Sequence, residues 1–458
     1  MGRLLVECSN VFRSPAVNTG IQRVVRNIVR HLDEVSRQEG VECIPVVMAE
    51  KRLFKVERLL PNASDQTPPA RLYVLCEKVN HAFWGLHGRL ERYWPMTRWH
   101  NARRASYVAF RLLSAPLWVA MKALRLLGYD SLRRRASVFE HQSGDHLVLL
   151  DSSWHASCFS TVEGLKRDGV SIVAVVHDLI PLVRPEFSEE RLRSIFTSWF
   201  DWMVGQADGF VGVSCTVRDH VRREMGARFG EEQAAARWYG FFHHGCELDL
   251  IGDDARPPQE LADLFASASV YLAVSTIEPR KNHEYLLDAF ELAWGAGSEA
   301  CLCIIGRIGW KREALIKRIR EHAEFGRRLF MFNDVTDSGL QYAYGHARAL
   351  VFASHDEGFG LPLVEAMQRG LPVMGSDIPV FREIGGDYMA YFDLSSPQAL
   401  ADLVQQFESS NRFPAPLGLD GWQWNDWREA CRQMVKTVQA QGLDERDAGM
   451  DATNARSA

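Results

Sequence analysis

Short apolar runs alternate with amphipathic stretches along the first half of the chain. Runs that favour strands occur at 4–6, 146–150, 171–176 and 209–213, and the apolar spacing over 21–32 predicts a helix. Strands that alternate with helices are typical of a parallel sheet covered by helices on both faces.

The second half repeats this alternation. Strands are predicted at 270–274 and 349–353, and helices at 283–294 and 362–369. Because 458 residues exceed an ordinary single domain, the pattern predicts two α/β domains of about 200 residues each.

Composition places the boundaries of these domains. A polar linker at 251–268 separates a first domain at 1–250 from a second at 269–422. The tail at 443–458 is small and polar, and we expect it to be disordered.

An insert at about 51–139 interrupts the first domain. Its part from 87 to 135 has ten Arg and one Lys against Glu91 and Asp130, a balance of +9, with aromatic residues between the bases. Such helices lie in the interface of anionic membranes, and the stretch 107–128 has too many charges for a spanning helix. The alternative is a helical hairpin that packs on its own domain and exposes a basic face.

The overall composition sets the class of protein. Hydrophobic residues make up 47% of the chain, the formal net charge is −5, and no nucleic-acid-binding motif accompanies the basic insert. Nine cysteines, an odd number without zinc-like spacing, indicate reduced thiols. The N-terminus predicts a first strand and not a signal peptide. We therefore expect a cytoplasmic protein, peripheral on the inner face of the cytoplasmic membrane, with no nucleic-acid partner.

The segment from Glu357 to Glu365 is the most informative motif. Gly358 and Gly360 fall in the turn between a predicted strand and a predicted helix, where free N–H groups and the helix dipole can bind an anion. Glu365 lies inside the helix, where its carboxylate can accept hydrogen bonds from paired hydroxyls, such as those of a ribose. The motif predicts a nucleotide-sugar site. A dinucleotide fingerprint requires a third glycine where Leu363 stands, whereas a purely structural turn fits the motif taken alone.

A second cluster, at 275–282, opposes the structural interpretation. It follows the strand 270–274 and contains Arg280 and Lys281. Open α/β sheets bind ligands beyond the carboxyl ends of their strands. A guanidinium fork and an ammonium group at such an end can neutralise a diphosphate. The alternative is a solvated basic pair on the surface.

Together these motifs resemble those of the retaining glycosyltransferases of family four, also called glycosyl transferases group 1. Within that family the resemblance is to mannosyltransferases. The resemblance covers most of the chain and is strongest over about 270–392. It implies the GT-B fold, in which two Rossmann-like, doubly wound domains face a central cleft. The basic helical insert would belong to the first, acceptor-binding domain, and a last helix at about 423–442 would cross back to that domain.

The resemblance also implies roles for individual residues. Arg280 and Lys281 would hold the donor diphosphate, Glu365 would bind the ribose, and Glu357 would contact the transferred sugar. His177, at the end of the strand 171–176, would act with Arg280, Lys281 and Glu357 in catalysis. The other donor-binding residues implied are Gly306, Asn333, Val335, Gly358, Phe359, Gly360 and Leu361.

Four further residues of the first domain are candidates for the acceptor side of the cleft. Gly20 and Arg23 begin the first helix, beside a loop that closes over the cleft in the family. Asp178 follows His177, and the alternative for these two is a His–Asp pair that only closes the strand end. Asp151 follows the strand 146–150, where it faces the acceptor or, as we favour, caps the next helix.

These interpretations combine into one hypothesis. The chain would be a retaining, metal-independent glycosyltransferase that transfers a hexose to a bacterial surface polysaccharide or its lipid-linked precursor. The hexose we expect is mannose, and the donor GDP-mannose. We expect no metal and no cofactor, since fixed cations can stabilise the leaving diphosphate. The alternatives are a nucleotide-sugar epimerase or hydrolase of the same fold, and a non-catalytic membrane-bound scaffold.

Overall fold

A computed structural model describes residues 2–15, 19–61, 67–91, 100–127, 129–154, 158–248, 257–333 and 335–454. The strands of the first sheet are β1 (Leu4–Glu7), β2 (Cys43–Ala49), β3 (Arg52–Val56), β4 (Ala136–Phe139), β5 (His146–Leu149), β6 (Ser171–Val176), β7 (Gly209–Gly212) and β8 (Trp238–Phe241). Their order is β4-β3-β2-β1-β5-β6-β7-β8. The sheet is parallel from β2 to β8, and β3 and β4 add an antiparallel edge.

The second sheet is parallel throughout. Its order is β11-β10-β9-β12-β13-β14. Its strands are β9 (Val270–Val274), β10 (Cys301–Ile305), β11 (Leu329–Phe332), β12 (Ala349–Phe352), β13 (Val373–Ser376) and β14 (Ala390–Phe392).

Helices connect the strands of both sheets. The first domain has α1 (Ser9–Arg13), α2 (Gly20–Glu39), α3 (Pro68–Glu91), α4 (His100–Leu126), α5 (Ser131–Arg135), α6 (Phe159–Arg167), α7 (Ile180–Val183), α8 (Glu190–Val204), α9 (Cys215–Phe229) and α10 (Glu231–Ala235). They are followed by α11 (Gln259–Ser267), α12 (His283–Gly295), α13 (Glu313–Arg320), α14 (Asp337–His346), α15 (Leu361–Met367), α16 (Pro379–Gly385), α17 (Gln398–Ser410) and α18 (Trp427–Asn454). The predicted α/β class with two doubly wound domains is confirmed.

Helix α2 shows how the sequence sets these elements. Thr19 and Gln22 form a capping box at its start, and Gly40 ends it in the left-handed region with φ of 67°. Apolar residues recur every three or four positions and are buried against the sheet, as an amphipathic helix requires. They are Val24, Ile28, Leu32 and Val35.

The last helix, α18, packs on the first domain. The hydroxyl of Thr437 donates to the carbonyl of Phe241 at 3.1 Å, and Arg432 Nε donates to Glu39 Oε1 at 2.6 Å. The helix runs to Asn454, whereas the sequence predicts disorder from 443; the stretch from 443 to 454 includes good helix formers such as Leu, Glu, Arg and Ala. Residues 455–458 lie outside the described residues.

The predicted linker at 251–268 is only partly described. Residues 251–256 lie outside the described residues, whereas Gln259–Ser267 forms α11. The linker prediction is therefore wrong over α11, whose apolar residues Leu261, Leu264 and Phe265 are buried. These three residues recur at the spacing of a helix face, a signal that nine residues beside a polar segment express only weakly.

The insert leaves the first sheet after β3 and returns through α5 and β4. Residues 92–99 of the basic segment lie outside the described residues. At the other end of that segment Arg135 is buried and so does not face a membrane. Its guanidinium donates to the carbonyls of Leu59 at 2.6 Å and Phe12 at 2.7 Å and lies 3.9 Å from the Phe12 ring centroid. Arg135 therefore fixes the insert to the core of the domain.

Candidate active site

A cleft of about 570 Å³ lies where the carboxyl ends of the two sheets face each other. Side chains that follow β6, β9, β10 and β12 enter it, together with the start of α2. The structure thus brings together candidates that are up to 345 positions apart, from Gly20 to Glu365. The predicted residues that line the cleft are Gly20, Arg23, His177, Asp178, Arg280, Lys281, Gly306, Val335, Glu357, Gly358, Phe359, Gly360, Leu361 and Glu365.

Glu357 binds the two predicted phosphate ligands. Its Oε2 accepts from Arg280 Nη1 at 2.6 Å, and its Oε1 accepts from the Lys281 ammonium and from the Ser354 hydroxyl, the latter at 2.8 Å. Burial raises the pKa of Glu357, but Arg280 and Lys281 outweigh it and bring the pKa to about 2. The carboxylate is therefore ionised at neutral pH, and the three side chains form one preorganised cluster.

Arg280 has additional partners that fix its plane. Its Nη2 donates to Glu278 Oε1 at 2.9 Å and its Nη1 donates to the carbonyl of Asp356 at 2.8 Å. Burial and the adjacent Arg280 lower the pKa of Lys281, although Glu357 opposes this shift. Glu278, which the sequence analysis did not assign, thus balances the second positive charge. The cations that the sequence predicted as phosphate ligands are both paired with carboxylates.

The turn between Gly358 and Gly360 lies directly against the first domain. A Cβ on Gly358 would be 1.8 Å from the carbonyl oxygen of His177, so only glycine fits this approach. The carbonyl of Gly358 accepts from the Ser214 hydroxyl at 2.8 Å. Gly360 has φ of 108°, a left-handed backbone that favours glycine. The glycines of the motif therefore serve the contact between domains as well as the strand-to-helix turn.

His177 is a neutral imidazole at the end of β6. Its Nε2 lies 2.8 Å from the carbonyl oxygen of Leu150. Because a carbonyl only accepts, Nε2 carries the proton and Nδ1 is left as an acceptor. Burial lowers the pKa of His177. Asp178 accepts instead from the backbone N–H of Ile180 at 3.0 Å, and burial raises its pKa. The two side chains thus bond to different backbone groups, not to each other.

Glu365 connects the two domains. Its Oε1 pairs with Arg23 Nη2 from α2, and its Oε2 accepts from the Tyr344 hydroxyl at 2.9 Å. The side chain of Glu365 is 1% exposed and that of Arg23 is 13% exposed. The predicted ribose ligand and the predicted first-domain residue therefore form a buried ion pair at one end of the cleft.

His244 is a cleft residue that the sequence analysis did not assign. It follows β8, is 4% exposed, and neither ring nitrogen has a hydrogen-bond partner in the described structure. Burial holds its pKa well below the usual value, so the ring is neutral. Its centroid lies 4.5 Å from that of Phe359 and 6.3 Å from that of His177. The His243–His244 pair was the available signal, but only the fold shows that His244 faces the cleft.

Two predicted residues lie apart from the described lining of the cleft. Asn333 is exposed after β11. Asp151 accepts from the backbone N–H of Val11 at 2.8 Å and so caps α1, whereas α6, which follows it in sequence, has Cys158 at its N-cap position. The expectation that Asp151 caps the next helix is wrong. Strand β5 pairs with β1, so its end meets the helix that follows β1.

A second, larger cavity of about 800 Å³ lies along α2 in the first domain. Its lining includes Arg26, Arg30, Arg37 and Lys55. The ion-paired cluster and the glycine turn of the motif lie in the smaller cleft instead. Because chemistry and not volume defines a site, we take the smaller cleft as the candidate active site.

The two facing α/β domains form the GT-B fold. Residues 263–419 match the sequence model of the family Glycosyl transferases group 1, so the second domain belongs to that family and the predicted resemblance is confirmed. The protein HepE of Anabaena, solved in complex with UDP and glucose, superposes with a TM-score of 0.53 at 14% identity over 96% of this chain and 100% of that chain. Sucrose-phosphate synthase of Thermosynechococcus elongatus gives 0.51 at 16% identity over 99% and 100%. At these identities the likeness shows the fold alone.

Curated relatives share higher identity over shorter stretches. The serotype-specific mannosyltransferase WbdA of Escherichia coli is 32% identical over 300 residues, which are 64% of this chain and 37% of WbdA. The O-antigen chain mannosyltransferase B of Escherichia coli is 33% identical over 168 residues, 36% of this chain and 44% of that protein. The chain thus spans little more than a third of the length of WbdA.

Proposed function

We propose that the protein is a retaining, metal-independent mannosyltransferase that transfers mannose from GDP-mannose to a bacterial O-antigen polysaccharide or its lipid-linked precursor. One observation carries the proposal: Arg280, Lys281 and Glu357 converge in a buried cluster beside a glycine turn, in the cleft between two GT-B domains. The names of the curated relatives support mannose as the sugar and O-antigen as the product.

The donor diphosphate would bind at Arg280 and Lys281. Both cations contact Glu357, so their positions are fixed and they would need little reorganisation to bind the phosphates. A diphosphate would take over part of their hydrogen bonding and leave Glu357 able to accept from a hydroxyl of the transferred sugar. Fixed charges of this kind stabilise a leaving group most effectively in a site shielded from water.

The nucleoside would extend from this cluster toward Glu365. Its carboxylate has lone pairs beyond those used by Arg23 and Tyr344, and these can accept from the ribose hydroxyls. Gly306 and Val335 line the same part of the cleft and would border the base, with Asn333 at its outer edge. A Cβ on Gly306 would lie 1.8 Å from the carbonyl oxygen of Ser275, so a side chain would disrupt this wall.

The transferred sugar would lie between Glu357 and His177. His177 Nδ1 is unprotonated, because Nε2 donates to a backbone carbonyl, and it can accept from a sugar hydroxyl. His244 is the third neutral or anionic acceptor in this region, and its nitrogens lack partners in the described structure. A sugar is rich in hydroxyl donors, and three acceptors of this kind suit it.

The reaction would proceed by attack on the same face from which the diphosphate leaves. The bond between the anomeric carbon and the phosphate oxygen breaks, and GDP leaves with the electron pair. The acceptor oxygen bonds to the anomeric carbon, and its proton passes to the leaving phosphate. Arg280 and Lys281 stabilise the charge that develops there. No protein base is assigned to this step, and the anomeric configuration is retained.

The test is transfer of mannose to a soluble mannoside acceptor by the purified protein. We expect turnover with GDP-mannose. NMR should show that an α-linked donor gives an α-linked product. EDTA should leave the rate unchanged, whereas a loss of rate restored by Mg²⁺ would contradict metal independence. Donor consumption without an acceptor would point instead to a hydrolase or an epimerase.

Two variants connect this assay to the site. Lys281→Ala removes a cation from the leaving diphosphate and should lower turnover by about 10²–10³. The matched control is Lys317→Ala, since Lys317 is 73% exposed on the surface of α13, and it should retain wild-type turnover. Equal turnover by the two variants would refute the assignment of Lys281.

A further inference from the structure

Helices α3 and α4 form a hairpin that packs mainly on itself. A stripe on α3, comprising Ala70, Tyr73, Cys76 and His87, is buried, with Phe83 on the same face. The ring of Phe83 lies 4.6 Å from that of Phe110 on α4, and the ring of His87 lies 4.7 Å from it. Each helix therefore uses one narrow stripe for the partner helix.

The outer surface of this hairpin is apolar. Thirteen of the twenty large hydrophobic side chains that are exposed in the described structure lie between 72 and 127, in less than one eighth of the chain. Several are extreme, because Leu112, Leu113, Leu126 and Leu127 are 69–70% exposed. Exposed apolar side chains concentrated in one hairpin in this way point to an interaction site. The thirteen are Leu72, Val74, Leu75, Val79, Leu86, Tyr107, Val108, Leu112, Leu113, Trp118, Val119, Leu126 and Leu127.

Helix α4 has the length and composition of a membrane-spanning helix over 104–126, so the expectation that its charges exclude a span is wrong by this measure, and almost none of the helix is buried within the protein. Its partner helix, however, has Arg71, Glu77 and Lys78 exposed along its length. A span of the two packed helices would bring these charged side chains into the hydrocarbon, where charged groups are costly and rare. The hairpin therefore suits the interface of a bilayer and not its core.

The charges on the hairpin identify the kind of bilayer. Over 104–126 of α4 the charged residues are Arg104, Arg111, Lys122 and Arg125, and all are basic. Lys122 lies 4.9 Å from the ring centroid of Trp118, an arrangement in which the aromatic ring enters the interface while the ammonium reaches the headgroups. We propose that the hairpin α3–α4 docks the protein on an anionic lipid surface by inserting its apolar outer face.

This proposal differs from the one that composition alone supports. From composition alone, the Arg-rich segment at 87–135 would bind the membrane through its charges. In the structure, Arg135 serves the core, and Arg125 pairs with Glu50 and Asp130. The apolar side chains therefore provide the main contact, and the remaining bases select anionic lipid. The inference does not depend on the proposed transferase activity, because vesicle binding is measured without donor or acceptor.

The test is sedimentation of the full chain with vesicles of phosphatidylcholine alone or mixed with phosphatidylglycerol. We expect binding to the anionic vesicles that is at least tenfold stronger than to the neutral ones. The variant Leu112→Glu/Leu113→Glu should lose binding to the anionic vesicles by at least tenfold. The matched control, Leu292→Glu/Leu417→Glu, changes two apolar residues that are 44% and 48% exposed outside the hairpin, and it should bind as the wild type does.

Four results would overturn the inference. They are equal binding by the two double variants, binding indifferent to lipid charge, and protein that resists alkaline carbonate extraction, as a true span would. The fourth is a wild-type dimer that Leu112→Glu/Leu113→Glu converts to a monomer, because the apolar face would then be covered by a second copy. Light scattering without vesicles detects this last outcome, and a thermal melt confirms that both variants remain folded.

Discussion

Removal of Arg23 should destabilise the protein through the charge that it leaves behind. Glu365 is 1% exposed, and its carboxylate is held by Arg23 and by the Tyr344 hydroxyl. In Arg23→Met the carboxylate keeps only the neutral partner. Breaking a buried ion pair from one side costs about 3–5 kcal/mol. Because Tyr344 remains and Arg23 is partly exposed, we expect a loss near the lower limit, about 3 kcal/mol of the free energy of unfolding.

The companion variants separate this effect from simple loss of packing. Replacing both members, in Arg23→Met/Glu365→Gln, removes the buried charge as well, so most of the loss should be recovered, to within about 1 kcal/mol of the wild type. Arg30→Met changes an exposed arginine on the same helix and should alter stability by no more than about 0.5 kcal/mol.

Urea-induced unfolding, followed by circular dichroism, measures these differences. The reasoning is refuted if Arg23→Met costs less than about 1 kcal/mol, the value expected of an exposed pair. It is also refuted if the double variant is less stable than Arg23→Met, because the penalty would not then come from an uncompensated carboxylate.

Three further predictions concern the cleft and its surroundings. His244→Phe keeps the ring and removes both nitrogens, so calorimetric donor affinity should fall by about 0.5–1.5 kcal/mol, the value of a neutral hydrogen bond; unchanged affinity would remove His244 from the donor site. Gly358→Ala places a Cβ 1.8 Å from the carbonyl oxygen of His177 and should lower the melting temperature, whereas Gly418→Ala meets nothing within 4 Å and should not; equal melting temperatures contradict this. Burial, together with a neighbouring carboxylate, raises the pKa of Glu7 from 4.5 to about 7. The folded state therefore favours the protonated side chain, and this contribution to stability is complete below pH 4.5 and is lost as the pH rises through about 7. Over this window Glu7→Gln should lose less stability with rising pH than the wild type, by up to about 1.4 kcal/mol per pH unit; parallel curves of unfolding free energy against pH would rule this out.

Local patterns were sufficient to predict two central strands of the second domain, β9 and β12, and its main motifs. The strand at 270–274, the helix within 283–294 and the turn before Leu361–Met367 each have a strong local signal. Apolar periodicity, glycine and proline act over a few residues, and these elements form where that local preference agrees with the packing.

The partners of each site residue could not be predicted in the same way. Arg23 and Glu365 are 342 positions apart, and no local pattern indicates that they pair. The role of Asp151 depended on which strand lies beside β5, since the cap acts across the sheet on α1. Sheet order and domain packing decide such contacts, and a single sequence specifies them only through the complete fold.

The insert shows the same limit for charge. Counting bases over 87–135 treated every arginine as available to a partner, yet Arg135 has buried carbonyl partners and lies over Phe12. Composition also could not show that Leu112 and Leu113 face outward. The exposure of each side chain is known only from the fold. It changes the expected membrane contact of the insert from a charged surface to an apolar one.

The most direct test of the central claim is a crystal structure of the protein with GDP-mannose bound. The account predicts the diphosphate within hydrogen-bond distance of Arg280 and Lys281, the ribose hydroxyls on Glu365, and the mannose between Glu357 and His177. A nucleotide bound in the larger cavity along α2, or a diphosphate remote from Arg280 and Lys281, would contradict it.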